Sequence, residues 1–429
     1  MGWKSGILVG ILAFVCGCPK PPAKPVVSQP VDESKRPPLR VLLVDASALE
    51  KSLLVRWQGV SQQPIEFTSI DVSTFLGNKD LKTDVLIYPS AVFAESIERK
   101  WITPLPAKFA EQRTDDESKP LRWPDAWHTL ASYGKRGWSV PVSFHTCMVL
   151  RAGEKEKRSS WTLAELQEGS ALPSEPIEGD GHLDLVDRYL ACVSLQLQIA
   201  PNSSPLFQLR NMKPRIAEAP FVEGAKVWLE AARRSPRLWS MSHEEVGQAV
   251  QSGKQTWGLG MPTIKASEMV DVRWGKLASG ESQGSKRTSL YVDSGRSLMA
   301  SISRSTRQSS ASQYFLDWLD QDDQREALSR EVAGVLQRSN AMGTSPTSMV
   351  THELNAKREL WVDFRIPGGI RYRQALKKAL VQILREPTQI QSALEKCKQE
   401  WEAITEEMGR DSQQLAMERA LQLMEAESL

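Results

Sequence analysis

The chain has 429 residues, a formal net charge of +2, 41% hydrophobic and 25% charged residues. That length suggests two or three compact units, and the composition is that of a soluble globular protein. A charge so near neutral excludes the basic face that a nucleic-acid partner requires. Cys147, Cys192 and Cys397 match no zinc spacing, and His128, His145, His182, His243 and His352 are scattered without an HExxH group. No metal or cofactor is therefore expected. The three cysteines sit in apolar surroundings that suit small packed hydrophobes, with one disulfide among them left open.

In chain order, the first element is a leader. Lys4 gives a basic start, Ile7 to Val15 a short apolar run, and Gly17 a small residue before Cys18. The run is shorter than the roughly 20 residues that span a bilayer, so it reads as an export signal over 1–17. Gly17-Cys18 resembles a bacterial lipobox, after which the cysteine is acylated; an ordinary cleaved signal with Cys18 incidental is the alternative. Pro19, Pro21, Pro22, Pro25, Pro30, Pro37 and Pro38 fill residues 18–38, which read as an extended tether. No polybasic patch adjoins Cys18, so membrane attachment would come from lipid.

Folding is expected from Leu39. The apolar run Leu39 to Val44, ending in Asp45-Ala-Ser47, predicts a buried strand feeding a loop. A helix around Leu49 to Trp57, a strand over Ile65 to Ile70 and a strand over Asp84 to Tyr88 follow, giving an α/β lobe whose loops gather at one sheet edge. Trp138 to Leu150 is the longest extended segment, and Pro141 within it marks an edge or a crossing between lobes. Thr162/Glu165 and Ser242/Glu245 have capping-box spacing. Residues 183–260 are mostly helical. Ala311, Tyr314, Phe315, Trp318 and Leu319 form one helical stripe, and Tyr372, Ala375, Leu376, Ala379, Leu380, Ile383 and Leu384 another. Pro387 ends that helix, and Thr388 with Gln391 is expected to cap the next, whose buried side is Ile390, Leu394, Cys397, Trp401 and Ile404. Beyond Asp411 a frayed acidic tail is expected.

Several segments in this order resemble the extracellular solute-binding proteins of ABC importers, the maltose-binding-like family. The similar segments are Thr83 to Ser90 with Trp101-Ile-Thr-Pro-Leu-Pro106, the extended piece Gly137 to Leu150, Ser160-Trp-Thr-Leu-Ala-Glu-Leu166, Val250 to Gly260, and Ser312 to Gln324. Two departures are Leu150-Arg-Ala-Gly153, where many relatives carry tyrosines and an asparagine, and Thr256-Trp257, where Ala and Met are usual. The resemblance implies an α/β, two-lobe periplasmic-binding-protein-like (type II) fold with crossing hinge strands and C-terminal helices. It implies a first lobe over 39–142, a second over 143–290, a return over 291–340 and C-terminal helices over 341–429. It also implies a small solute held between lobes and delivered to ABC permease subunits from the periplasm or the outer face of the cytoplasmic membrane, with no bond broken.

In open α/β sheets, loops at the carboxyl ends of parallel strands face the cleft. That rule nominates Asp45, Ser47, Tyr88 and Ser90 as ligand contacts, with ordinary turn chemistry as the other reading. His145, beyond Pro141, is either a donor to ligand or a satisfied hinge histidine. Trp257, beside Gly258 and Gly260, is either a ring that stacks on a sugar or a core residue; Trp239 and Trp274 are weaker candidates of the same kind. Fourteen tryptophans against six tyrosines favour a carbohydrate, and the absence of adjacent tyrosines disfavours ferric iron. A polyamine or amino acid remains open. No catalytic motif is present, so the alternatives to a receptor are a two-lobe lipoprotein with a structural or regulatory role and a secreted glycan hydrolase.

Overall fold

The computed structural model of the chain describes residues 36–106, 109, 125–153, 160–162, 165, 184–197, 203–234, 241–261, 272–279, 289–332, 334–335, 360–362 and 364–425. The leader and most of the tether, Cys18 included, lie outside these residues. Among them no helix is long and apolar enough to cross a membrane.

The chain opens with β1 (Leu39–Val44), in which only Arg40 escapes full burial. A strand this apolar on both faces belongs inside a parallel sheet, and β1 is flanked there by two neighbours. A 3-10 turn (Ser47–Leu49) leads into α1 (Glu50–Gln58), then β2 (Ile65–Ile70), α2 (Val72–Gly77), β3 (Val85–Pro89) and α3 (Phe93–Glu98). After α4 (Asp125–Ala131) come a small hairpin, β4 (Ser132–Tyr133) and β5 (Arg136–Gly137), and then β6 (Val140–Pro141). The chain next builds β7 (Met148–Ala152), β8 (Ser160–Thr162), α5 (Asp184–Ser194), the hairpin of β9 (Phe207–Gln208) and β10 (Lys213–Pro214), α6 (Ala219–Arg234), α7 (His243–Gln251), β11 (Trp257–Gly260) and β12 (Val272–Ala278). It returns through β13 (Tyr291–Val292) and β14 (Leu298–Ile302) to α8 (Ser309–Leu319) and α9 (Asp322–Ser329). The last elements are β15 (Leu360–Trp361), α10 (Gly369–Arg385), α11 (Ile390–Met408) and α12 (Arg410–Ala420).

Two larger sheets define two lobes. The first runs β2-β1-β3-β14-β6, with β1 parallel to β2 and β3, and β14 antiparallel to β3 and β6. The second runs β11-β7-β12-β8. The extended segment 138–150 therefore divides: β6 closes the edge of the first sheet, and β7 sits inside the second. Pro141 lies in β6, where an absent N–H costs no interior ladder bond, and its carbonyl accepts from the buried Arg325 Nη2 at 2.7 Å. Asp84 fastens the first sheet to the returning chain. Its fully buried carboxylate accepts from Arg40 N at 3.0 Å, Arg40 Nε at 3.1 Å and Thr306 Oγ1 at 2.9 Å.

Local signals explain several element starts. Asp71 caps α2 by accepting from Thr74 N–H at 2.8 Å. Both capping boxes form: Glu165 N–H donates to Thr162 Oγ1 while Glu165 Oε2 accepts from Thr162 N–H, and Ser242 and Glu245 repeat the exchange. The start of α11 differs from expectation. Residues 387–389 form a 3-10 turn, Gln389 stands at the cap without a side-chain bond, and Ile390 is only half-buried. Pro387 imposes that tight turn and displaces Thr388 from the capping position. In α8, Tyr314 is 49% exposed although it falls in the stripe, because its ring lies at the rim beside Trp57.

The C-terminal helices rest on both lobes. Trp401 of α11 is fully buried among Phe207 of the second lobe (ring centroids 5.4 Å apart), Phe364 (5.1 Å) and Tyr372 of α10 (5.7 Å), and its Nε1 donates to the Tyr372 carbonyl at 2.9 Å. The expected frayed tail is instead α12, packed on the first lobe. Arg419 pairs with Glu98 at 2.8 Å, and its carbonyl accepts from Gly134 N–H at 2.9 Å. Its apolar face is too small to show as a stripe, since only Gln413, Ala416 and Met417 are buried. Truncating a buried tryptophan leaves a cavity that neighbours fill only in part. Trp401→Ala should therefore lower the unfolding free energy by about 3–5 kcal/mol in urea titration, whereas Tyr314→Ala should change it by less than about 1 kcal/mol.

Candidate functional site

Loops of the first lobe, the returning crossing and the first turns of α10 enclose a cavity of about 950 Å³. The first lobe contributes Asp45 from the end of β1, Asp71 to Ser73 at the start of α2, and Pro89 and Ala91 after β3. The crossing contributes Ser294 to Arg296, and α10 contributes Ile370, Arg371, Arg373 and Gln374. Glu95 of α3 and Arg99 at its C-terminal cap complete the charged lining, and among the described residues no aromatic ring belongs to it. A wall of carboxylates, guanidiniums and an amide can hydrogen-bond a polar solute in many directions.

The nominated residues divide between the wall and its support. Asp45 lines the cavity. Its φ of +46° turns the chain out of β1, a conformation that Asp tolerates better than most residues, and its carboxyl accepts from Val72 N–H. Partial burial, with the Asp71 carboxylate close by, raises its pKa above the usual carboxylate value. Ser47 stands exposed on the following turn and does not line the cavity. Tyr88 lies beneath the wall, fully buried, its hydroxyl 2.8 Å from Ser301 Oγ; burial drives its pKa upward. Ser90 is buried, and its N–H donates to the Ser297 carbonyl at 2.7 Å. Pro89 and Ala91, on either side of it, line the cavity instead.

His145 joins the two crossings. Its N–H donates to Ser297 Oγ at 3.0 Å and its carbonyl accepts from Ser294 N–H at 3.0 Å. Burial first, then the charge of Arg296, pulls its pKa down to about 4, so the imidazole is neutral at physiological pH. Trp257 is 3% exposed in β11, paired with Arg151 across β7, and does not line the cavity. Trp239 lies outside the described residues, as does the side chain of Trp274. All ten tryptophans whose side chains are described are buried. The tryptophan excess is thus invested largely in packing.

Sequence reasoning missed a buried ionic hub behind the cavity. Asp184 and Asp187 lie one turn apart on α5, both out of water. Asp184 Oδ1 accepts from Arg296 Nη2, and Asp187 Oδ1 from Arg373 Nη2. His243 at the start of α7 donates its N–H to Asp184 Oδ2 at 2.6 Å, and its Nε2 lies 3.2 Å from Asp187 Oδ2. Arg188, also buried, donates to the carbonyls of Leu259 and Met241, each at 2.9 Å. Asp184, Asp187 and His243 are the described residues best placed to hold a metal. Their carboxylates are already neutralised by two guanidiniums, so the cluster is built as an ion-pair lattice. Burial raises both carboxyl pKa values, but the Arg373 guanidinium with a hydrogen bond from His243 for Asp187, and Arg296 with the His243 backbone N–H for Asp184, outweigh it and hold both below the usual range. The trace in the sequence is three charged residues, Asp184, Asp187 and Arg188, inside a largely apolar helix, together with arginines in the first turns of α10, where the helix dipole disfavours them.

No protein-family model matches the sequence, and no curated protein matches it. Solved structures do. The maltose-bound MalE3 protein of T. maritima superposes with a TM-score of 0.62 at 12% identity, over 85% of this chain and all of that one. The maltose-maltodextrin binding protein of Alicyclobacillus acidocaldarius gives 0.61 at 14%, over 85% of this chain and 100% of that one. An ABC-transporter solute-binding protein of Agrobacterium vitis with bound D-mannitol gives 0.60 at 14%, over 86% and 99%. The fold is that of the two-lobe maltose-binding proteins, as the order of motifs implied.

The hub makes stability depend on pH in a definite direction. Carboxyls whose pKa is lowered by folding stabilise the native state above their unfolded value, near 3.8, and lose that contribution as pH falls through the folded values. The melting temperature should therefore fall steeply below about pH 4. Asp187→Asn removes the carboxylate that pairs with the buried Arg373 guanidinium and should cost about 3–5 kcal/mol at pH 7, measured by urea unfolding, with a flatter acid limb than the parent.

Proposed function

We propose that this chain is an extracytoplasmic solute-binding receptor of the ABC-importer type, acting by capture and release without chemistry on its solute. The observation that carries this reading is a cavity of about 950 Å³, walled by charged and polar groups, at the meeting point of the first lobe, the crossing and α10. The fold around it is shared along most of the chain with proteins holding maltose and D-mannitol. A carbohydrate is the favoured solute class, since carboxylates and guanidiniums bond hydroxyl groups well. Delivery to a permease would follow from a partner that grips one arrangement of the lobes better than another.

The leader adds location. Cys18 is proposed as the lipid attachment site and residues 18–38 as the tether that holds the folded lobes off the membrane surface. That places the receptor in the periplasm or on the outer face of the cytoplasmic membrane.

A solute that binds only the folded protein raises its melting temperature in proportion to the logarithm of its concentration over Kd. A screen of mono- and oligosaccharides, polyols, amino acids and polyamines should yield at least one saturable shift without turnover. A screen with no shift would remove the receptor reading, and release of a cleaved product would replace it with a hydrolase. Cys18→Ala should move the protein from the membrane pellet to the soluble fraction after cell disruption; persistence in the pellet would remove the lipid anchor.

A further inference from the structure

We infer that the end of the first lobe opposite the cavity is a lipid-docking face that settles on anionic phospholipid headgroups. The inference rests on the lipid-anchor reading above and gives it an orientation. It begins where the tether enters the fold. The Pro37 carbonyl accepts from Gln63 Nε2 at 3.0 Å, the Pro38 carbonyl accepts from Gln308 Nε2 at 2.9 Å, and Gln63 Nε2 also donates to Gln308 Oε1 at 2.7 Å. The tether is thus clamped at the amino end of β1. The stretch from Cys18 to Arg36 reaches roughly 60 Å at full extension, so an acyl chain on Cys18 keeps this end close to the bilayer. Asp45, Asp71 and Pro89 line the cavity at the other end, where β1, β2 and β3 finish.

Groups suited to a headgroup layer gather at the clamped end. Lys82 lies between Leu81 and Thr83, whose carbonyls both accept from Ser305 Oγ. Arg304 N–H donates to the Trp101 carbonyl at 2.9 Å, beside Lys100, and Arg307 adjoins the clamping Gln308. Lys82, Lys100, Arg304 and Arg307 are exposed, and none of them has an ion-pair partner among the described residues. Asp80 and Glu66 bring exposed carboxylates to the same end, while Asp84 is already paired with Arg40. Val60 is 46% exposed and Tyr314 49% exposed, both beside Trp57. They supply an apolar side chain and an amphipathic ring of the kind that rests at headgroup depth. The attraction of a few cations to an anionic surface is modest for a free protein and effective for one held within tether reach. The same arrangement turns the cavity away from the bilayer, toward arriving solute.

The acylated protein reconstituted in vesicles tests this. Cys147, Cys192 and Cys397 are buried, so a cysteine introduced by Gln62→Cys at the clamped end, or by Ser47→Cys at the cavity end, is labelled selectively at an exposed position. β1 alone separates these ends by about 20 Å. Energy transfer from the label to a headgroup acceptor should be several-fold stronger from residue 62 than from residue 47 in vesicles of equimolar phosphatidylcholine and phosphatidylglycerol. The difference should shrink in phosphatidylcholine alone and at high salt. Arg304→Glu combined with Arg307→Glu should abolish it at an unchanged melting temperature. Equal transfer from both labels, or a difference indifferent to lipid charge, would overturn the inference and leave the anchor standing. A difference that follows protein density on the vesicle would assign the face to a second copy of the chain and overturn it as well. Protein whose mass shows no acyl chain would remove the anchor and the inference together.

Discussion

Charge buried away from water governs the arrangement of this molecule around its cleft. Asp184 and Asp187 project from α5 into a region with no solvent to stabilise them, and Arg296, Arg373 and the donors of His243, with the buried Arg188 nearby, supply the compensation they need. Such groups cannot be separated cheaply, because removing one partner leaves the other with its full desolvation cost. A helix of the second lobe, the returning crossing and a helix of the C-terminal layer are consequently fixed at a single point. The apolar core sets how much each lobe packs; the hub sets where α5 stands relative to α10. It also engages the guanidiniums of Arg296 and Arg373, so the electrical character of the cavity depends in part on groups outside its lining.

The elements most legible in the sequence are those whose burial follows a period. β1 reads from its continuous apolar run and α10 from its stripe, and the Ser242/Glu245 capping box marks the start of α7. Asp45 was legible as a cleft residue because the end of a parallel strand has a fixed place in an α/β sheet. The hub was not, since its members come from α5, α7, the crossing and α10, and side-chain pairing across such separations leaves no local pattern. Tryptophan presents a different obstacle. Composition gives the number of indoles and cannot say which surface each one covers, and Trp257, a candidate for stacking, turned inward between β7 and its helical cover. α12 escaped notice for a third reason: its attachment depends on Arg419 and on backbone contacts with Gly134 and Lys135 more than on an apolar face.

The crossings are tightly packed around His145. Gly334, with φ +77°, lies so close to the His145 ring that an added Cβ would come within 2.6 Å of Cε1. Ser143 bridges to Val335 beside it, and Phe144 N–H donates to the Gly334 carbonyl at 2.9 Å. With its imidazole neutral, His145 acts here as a spacer between the outgoing crossing and residue 334, and His145 N–H ties it to the returning one. A glycine is required at 334 on two counts, its backbone conformation and the closeness of the ring.

The path of the polypeptide has a mechanical consequence. The described chain enters through β1 and finishes with α12 against Glu98 and Gly134, so both ends are moored to the same lobe while the other is an insertion carried between them. Tension applied between the ends would load the β1 ladder and the α12 attachment first, leaving the inserted lobe shielded from force until one of those moorings gave way.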